Sequence, residues 1–243
     1  IKSWKSWPFE WDKRLVDFRR LPMRYLLSDP LPLPASVPGL ICQRLTAKRI
    51  AGFDMPLIAR HYLNRDEMAA FTGKSSTPPR QLQWLLGRIA AKDAVRAWSA
   101  QHDGTEEKLH PAAFVIENNA KGQPLVSSWP DNTLLIPTVS IAHCEDQAIA
   151  VAHGGSMGVD IERIAEHNAD FLKAMSSESE RTLLAAFSGP GLQEWITRLW
   201  CAKEAFGKLL GSGVNEAPQR FEAQAIGADG SLQMHHHGSG RQA

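Results

Sequence analysis

Cysteine is scarce in this chain. Its 243 residues hold three, Cys42, Cys144 and Cys201, and no C-x-x-C pair. An odd, sparse count argues against a disulfide framework and predicts a reducing, cytoplasmic setting. Long apolar runs are missing too: none approaches the ~20 residues a membrane-spanning helix needs, so no membrane partner is expected. The opening residues Ile1-Lys2-Ser3-Trp4 lack the apolar core of a signal peptide. Nor does charge of one sign dominate. Lys plus Arg is 27 against 26 for Asp plus Glu, which leaves no global field for nucleic acid, and any basic surface must be local. The chain starts at Ile1 rather than Met. That start predicts a piece excised from a longer polypeptide, or loss of a disordered beginning.

What remains has the proportions of an ordinary globular protein, 43% hydrophobic and 22% charged. The length suits one large domain or two compact halves. Residues 1–39 read as an arm or linker. Trp4, Trp7, Phe9, Trp11 and Phe18 are mixed with charge, and Pro30, Pro32, Pro34 and Pro38 then favour extended chain. A first half is expected over residues 40–137, with strands near Leu40–Leu45 and Phe114–Glu117 and a short return strand at Leu125-Val126. Asn64 or Asp66 could cap a short helix carrying Met68 and Phe71. The strongest helix runs from Arg80 to Trp98, with apolar residues at three-and-four spacing. On it Arg88 and Lys92 share a face, read as solvated and basic. A second half is expected over residues 138–243. It has strands at Val139–His143, Ala148–Ala152 and Gly158–Glu162, a helix from Phe171 to Phe187 with Ser176 or Ser177 as N-cap, and a last helix from Leu192 to Leu210. Gly211-Ser212-Gly213 ends that helix. The tail with His235-His236-His237 reads as a polar loop. The mixture predicts an α+β fold made of two similar α/β halves.

Asp160 and Glu162 are two apart on an expected strand, so both carboxylates leave the same face. Two such acids repel unless a cation lies between them, and a hard divalent ion, Mg²⁺ above all, suits oxygen ligands and phosphates. Alone, the pair is as readily a solvated strand face. Trp200, Glu204 and Lys208 fall on one helical stripe, and could add a carboxylate ligand and a cation for phosphate oxygens. An intrahelical Glu–Lys pair, contributing about 0.2–0.5 kcal/mol, fits the stripe equally well. His143, at the end of an apolar strand, is by itself a structural histidine.

Order and spacing join these signals. Ser140-Ile141-Ala142-His143, Gly158-Val159-Asp160-Ile161-Glu162 and Leu199-Trp200-Cys201-Ala202-Lys203-Glu204-Ala205-Phe206-Gly207-Lys208 together resemble the signature of the 4′-phosphopantetheinyl transferase superfamily. The likeness is greatest to its surfactin-synthetase-activating type, with two halves in one chain. Trp84-Leu85-Leu86-Gly87-Arg88 and Lys121-Gly122-Gln123-Pro124 extend it upstream, so that it covers about Leu40 to Gly213.

The resemblance implies a pseudo-dimeric fold. It also implies Mg²⁺-dependent transfer of the phosphopantetheine arm of coenzyme A to a serine of an acyl or peptidyl carrier protein, with release of 3′,5′-ADP. By similarity Asp160, Glu162 and Glu204 would hold Mg²⁺, and Glu204 would be the base for the carrier serine. Lys208 would stabilise the breaking pyrophosphate, with Lys203 beside it, and Asp160 would count among the catalytic groups. His143 and Arg88 would contact coenzyme A phosphates, and Cys201 would pack rather than react. Ala142 and Gln123 depart from the family pattern, which often has serine and a basic residue there. Two other readings stay open: a non-catalytic module that docks carriers in a larger synthase, and a Mg²⁺-dependent nucleotide hydrolase. A monomer, or a domain of a polyketide or fatty acid synthase, is the expected state.

Overall fold

The structure is a computed structural model that describes residues 26–33, 37–73, 77–103, 109–129, 135–214 and 217–238. The aromatic stretch from Trp4 to Phe18 lies outside the described residues. The chain divides into two compact units, Ile1–Ser156 and Met157–Ala243.

The first unit contains β1 (Asp29–Pro30), β2 (Ile41–Thr46), α1 (Ala47–Ile50), α2 (Met55–Tyr62), α3 (Arg65–Gly73) and α4 (Pro78–Asp103). It continues with β3 (Val115–Asn118), β4 (Pro124–Ser127), β5 (Thr138–Cys144) and β6 (Gln147–His153). Four strands form an antiparallel sheet in the order β1-β2-β6-β5, while β3 and β4 make a separate hairpin. The sequence placed the start of the second half at residue 138. Here β5 and β6 hydrogen-bond into the sheet of β2, so the compact units part after Ser156.

Helix α4 lies across this sheet and buries Leu85, Leu86 and Ile89 completely. Gly87 permits the close approach, since a Cβ there would stand 3.1 Å from Ile141 Cγ2. The basic residues of α4 are not solvated, contrary to the sequence reading. Lys92 is fully buried, pairs with Glu67 at 2.8 Å and donates to the carbonyls of Pro111 and Phe114. Arg88 is buried, donates to Asn118 Oδ1 at 3.0 Å and lies over the Trp84 ring. Each cation sits in a low-dielectric site and is kept there by an anion, amide or carbonyl, as burial of charge requires. Asp93, also fully buried, accepts from Ser28 N, Ser28 Oγ and Tyr62 Oη. It thereby ties residues 27–30 into the unit.

The second unit holds α5 (Ala169–Met175), α6 (Glu178–Leu184), α7 (Gly189–Leu210), β7 (Phe221–Ile226) and β8 (Leu232–His236). Its core gathers Leu199 and Phe206 of α7, Phe221 and Ala223 of β7, and Met234 of β8. The single helix expected over residues 171–187 is two, because Ser177 begins α6 with a capping box shared with Glu180. Helix α7 stops where Gly211 takes the left-handed conformation, φ 70°. The expected polar tail is strand β8, paired with β7 through Phe221↔His236 and Glu222↔His235. Each unit thus sets one long helix against antiparallel strands, and the fold is α+β.

Candidate metal and phosphate site

Residues 158–162 run as irregular chain along α7, not as the strand the alternation suggested. Gly158 makes that path possible. A Cβ on it would meet the Ala205 carbonyl oxygen at 1.8 Å and Leu209 N at 2.9 Å, so the residue lies flat on the helix backbone. The next residues therefore fall beside the side chains of α7.

Lys208 Nζ donates to the Val159 carbonyl at 3.0 Å and to Asp160 Oδ1 at 2.7 Å. The Asp160 side chain is 9% exposed and that of Lys208 30%. The other carboxylate oxygen, Asp160 Oδ2, is buried and has no hydrogen-bond partner among the described residues. An anionic oxygen left so is costly unless a cation or donor completes it. Burial is the main cause that pushes Glu204 above the usual carboxylate range; Asp160 and Glu162 push the same way, and Lys208 opposes them. Three carboxylates thus share one field with one partly exposed lysine.

This donor set fits a hard divalent cation in its chemistry: oxygen ligands, excess negative charge and an orphaned buried oxygen. Among the described residues, no three such side chains already converge on one point. Cys201, one turn before Glu204, is half-buried, and burial together with Asp160 and Glu162 pushes its thiol up to about 12. It stays protonated at neutral pH and is no nucleophile.

Lys203 is elsewhere. Its fully buried Nζ donates to Glu180 Oε2 at 2.8 Å and to the Pro218 carbonyl at 3.0 Å. Glu180 also accepts from Ser177 N and Ala223 N. The phosphate contact expected of Lys203 is therefore corrected to an ion pair joining α6, α7 and β7. His143 and Arg88 belong to the first unit. His143 is exposed near the end of β5, while Arg88 is turned inward to Asn118, its Nε without a partner among the described residues. The sequence reading missed the roles of Gly158, the Val159 carbonyl and Glu180. Only Glu180 left a signal, the capping spacing from Ser177.

The sequence model of the 4′-phosphopantetheinyl transferase superfamily matches residues 156–240, the stretch that contains all four of these α7-side groups. Residues 156–240 are similar to that superfamily. Enterobactin synthase component D from Salmonella austin is 31% identical over 143 residues, covering 58% of this chain and 53% of the relative. The 4′-phosphopantetheinyl transferase psf-1 of Bacillus pumilus is 23% identical over 150 residues, 62% of this chain and 58% of that protein. The chain thus spans little more than half the length of these superfamily relatives. Among solved structures, a holo-(acyl-carrier-protein) synthase from Bacillus anthracis in complex with coenzyme A (3′,5′-ADP) gives a TM-score of 0.37 at 19% identity. It aligns to 47% of this chain and 92% of its own.

Proposed function

We propose that this protein transfers the 4′-phosphopantetheine arm of coenzyme A to a serine of an acyl or peptidyl carrier protein, releasing 3′,5′-ADP. The observation that carries the reading is the Asp160 carboxylate, one oxygen on Lys208 and the other buried without a partner, inside the superfamily region. The name of the Bacillus pumilus relative supports the reaction class.

In this reading Asp160, Glu162 and Glu204 hold Mg²⁺, which would offset pyrophosphate charge. Glu204, its pKa already raised, takes the proton of the carrier serine hydroxyl. The serine oxygen forms a bond to the phosphorus that carries the pantetheine arm. The bond from that phosphorus to the bridging oxygen breaks, and the electron pair leaves with 3′,5′-ADP. Lys208, on its leash to Val159 and Asp160, neutralises charge as that bond lengthens. His143 is assigned to a coenzyme A phosphate on its exposure alone. Arg88 has no such support, because its guanidinium is buried. The three free cysteines support a cytoplasmic setting.

The test is mass spectrometry of apo-carrier proteins after incubation with the protein, coenzyme A and Mg²⁺. A phosphopantetheine mass gain is expected, lost in Asp160→Ala and in Glu204→Ala while their circular dichroism stays native. Carriers left unmodified would favour the docking module. Formation of 3′,5′-ADP without carrier modification would favour the hydrolase.

A further inference from the structure

Residues 157–168, which carry Asp160 and Glu162, form neither helix nor strand, yet both ends of the segment are fixed to α7. The upstream end lies on the last turns of the helix. There Gly158 packs flat on Ala205 and Leu209, and Lys208 donates to the Val159 carbonyl and to Asp160. The downstream end is tethered about three turns earlier. His167 N donates to Gln193 Oε1 at 2.8 Å, and His167 Nε2 lies 3.1 Å from Thr197 Oγ1. The Thr197 hydroxyl gives its own proton to the Gln193 carbonyl at 3.0 Å. Toward the histidine it can therefore only accept, and Nε2 must carry the hydrogen. Thr197 is 4% exposed, so a buried hydroxyl is committed to one residue of irregular chain. The tether is braced from the side as well. The imidazole stacks on Phe171 with centroids 4.5 Å apart, and Phe171 meets Trp200 edge-on at 5.6 Å.

Gln193, Thr197, Trp200, Glu204 and Lys208 recur every three or four residues and so line one face of α7. From Gln193 to Lys208 this stripe runs about 22 Å at 1.5 Å per residue. Between the two fixed ends, residues 162–166 are exposed. Lys208 sets Asp160, but Glu162 lies beyond that hold, near enough to Glu204 to act on its charge. A chain fixed at one end explores many backbone conformations, and fixing the other end removes most of them. We propose that Gln193 and Thr197, acting through His167, are positioning residues that keep Glu162 near Glu204 for the divalent cation. The proposal rests on the metal reading of Asp160, Glu162 and Glu204. The tether side chains themselves are committed to His167 and not to the ion.

The test is hydrogen–deuterium exchange of the full chain, read by mass spectrometry over residues 159–166 as Mg²⁺ is raised. In the parent, exchange there should slow with a measurable Mg²⁺ midpoint. Thr197→Val and Gln193→Met each remove one tether bond. Each should raise that midpoint about fivefold, the equilibrium weight of one net hydrogen bond. Thr197→Ser keeps the hydroxyl and should match the parent. Glu194→Gln breaks only the exposed pair with Arg198 on the same helix and should also match it. Metal-free melting curves identify any variant that does not fold, and Gln193→Met carries the test should Thr197→Val fail. Equal midpoints for the parent and the tether variants overturn the proposal and leave the metal site standing. Exchange that ignores Mg²⁺ in the parent overturns the metal reading, and the proposal with it. A shift in Thr197→Ser as large as in Thr197→Val also overturns it, because packing rather than the hydroxyl bond would then be responsible.

Discussion

Replacing Lys203 by Met separates the two roles this lysine could have. The change keeps most of the side-chain volume and removes the ammonium, leaving the Glu180 carboxylate in a site 1% exposed. Two backbone donors, Ser177 N and Ala223 N, still serve it, but the compensating charge is gone. Breaking a buried pair in this way costs about 3–5 kcal/mol. An independent ceiling agrees: Glu180 can escape by taking up a proton, which at pH 7 costs about 1.36 kcal/mol for each of about 2.7 pH units above an ordinary glutamate, about 3.7 kcal/mol. Thermal melting should fall by about 6–20 °C at 2–4 °C per kcal/mol. The pH dependence has a definite sign. In the variant, Glu180 binds its proton more tightly folded than unfolded, so the deficit against the parent is full at pH 7 and shrinks as pH falls toward 4.3. Urea titrations at pH 7 and pH 5 measure it, and the KM for coenzyme A, taken at low temperature, should barely move. A stability loss below about 1 kcal/mol together with a large rise in that KM would refute the reasoning and return Lys203 to the phosphate.

Gly158→Ala should abolish carrier modification in the mass assay while most of the fold survives. A Cβ 1.8 Å from the Ala205 carbonyl oxygen cannot be accommodated, so residues 158–162 must lift from α7 at a cost of about 1–3 kcal/mol or more; an active variant would show that this contact does not set the site. Glu222 is held down to about 2 by Ser179, Ser177 and His237. Its contribution to stability is present above the ordinary glutamate range and lost as pH falls toward 2, so acid unfolding of Glu222→Gln should be less steep there. Equal slopes for parent and variant would contradict the clasp.

How much of this could be read from the sequence depended on what each residue's partner was. Helices α4 and α7 were legible because burial repeats along them every three to four residues, and Gly211 announced the end of α7. Motif spacing singled out Asp160, Glu204 and Lys208, and the structure sets Lys208 on Asp160. Arg88 and Lys92 were misread as solvated because their partners, Asn118 and Glu67, are remote in sequence. Lys203 was misread likewise, since Glu180 lies 23 residues earlier. Strand β8 was hidden by its composition: histidine and glutamine look like loop until Phe221–Ile226 is there to pair with them. The strand expected over residues 158–162 was not observed, because the segment runs as irregular chain against a helix instead.

The placement of Met234 bears on how the chain is made. The sheet of the first unit closes with β6 at His153, so a nascent chain can complete that sheet while the rest is still being translated. The second unit has no such freedom. Its helices carry one side of the core, but Met234 on β8 packs with Phe206 and Phe221, and Glu180, the partner of Lys203, still lacks the Ala223 N–H of β7. Until translation passes residue 236, α7 exposes an unfinished apolar face. A chain interrupted before β8 would therefore hold a finished first unit and an aggregation-prone second one.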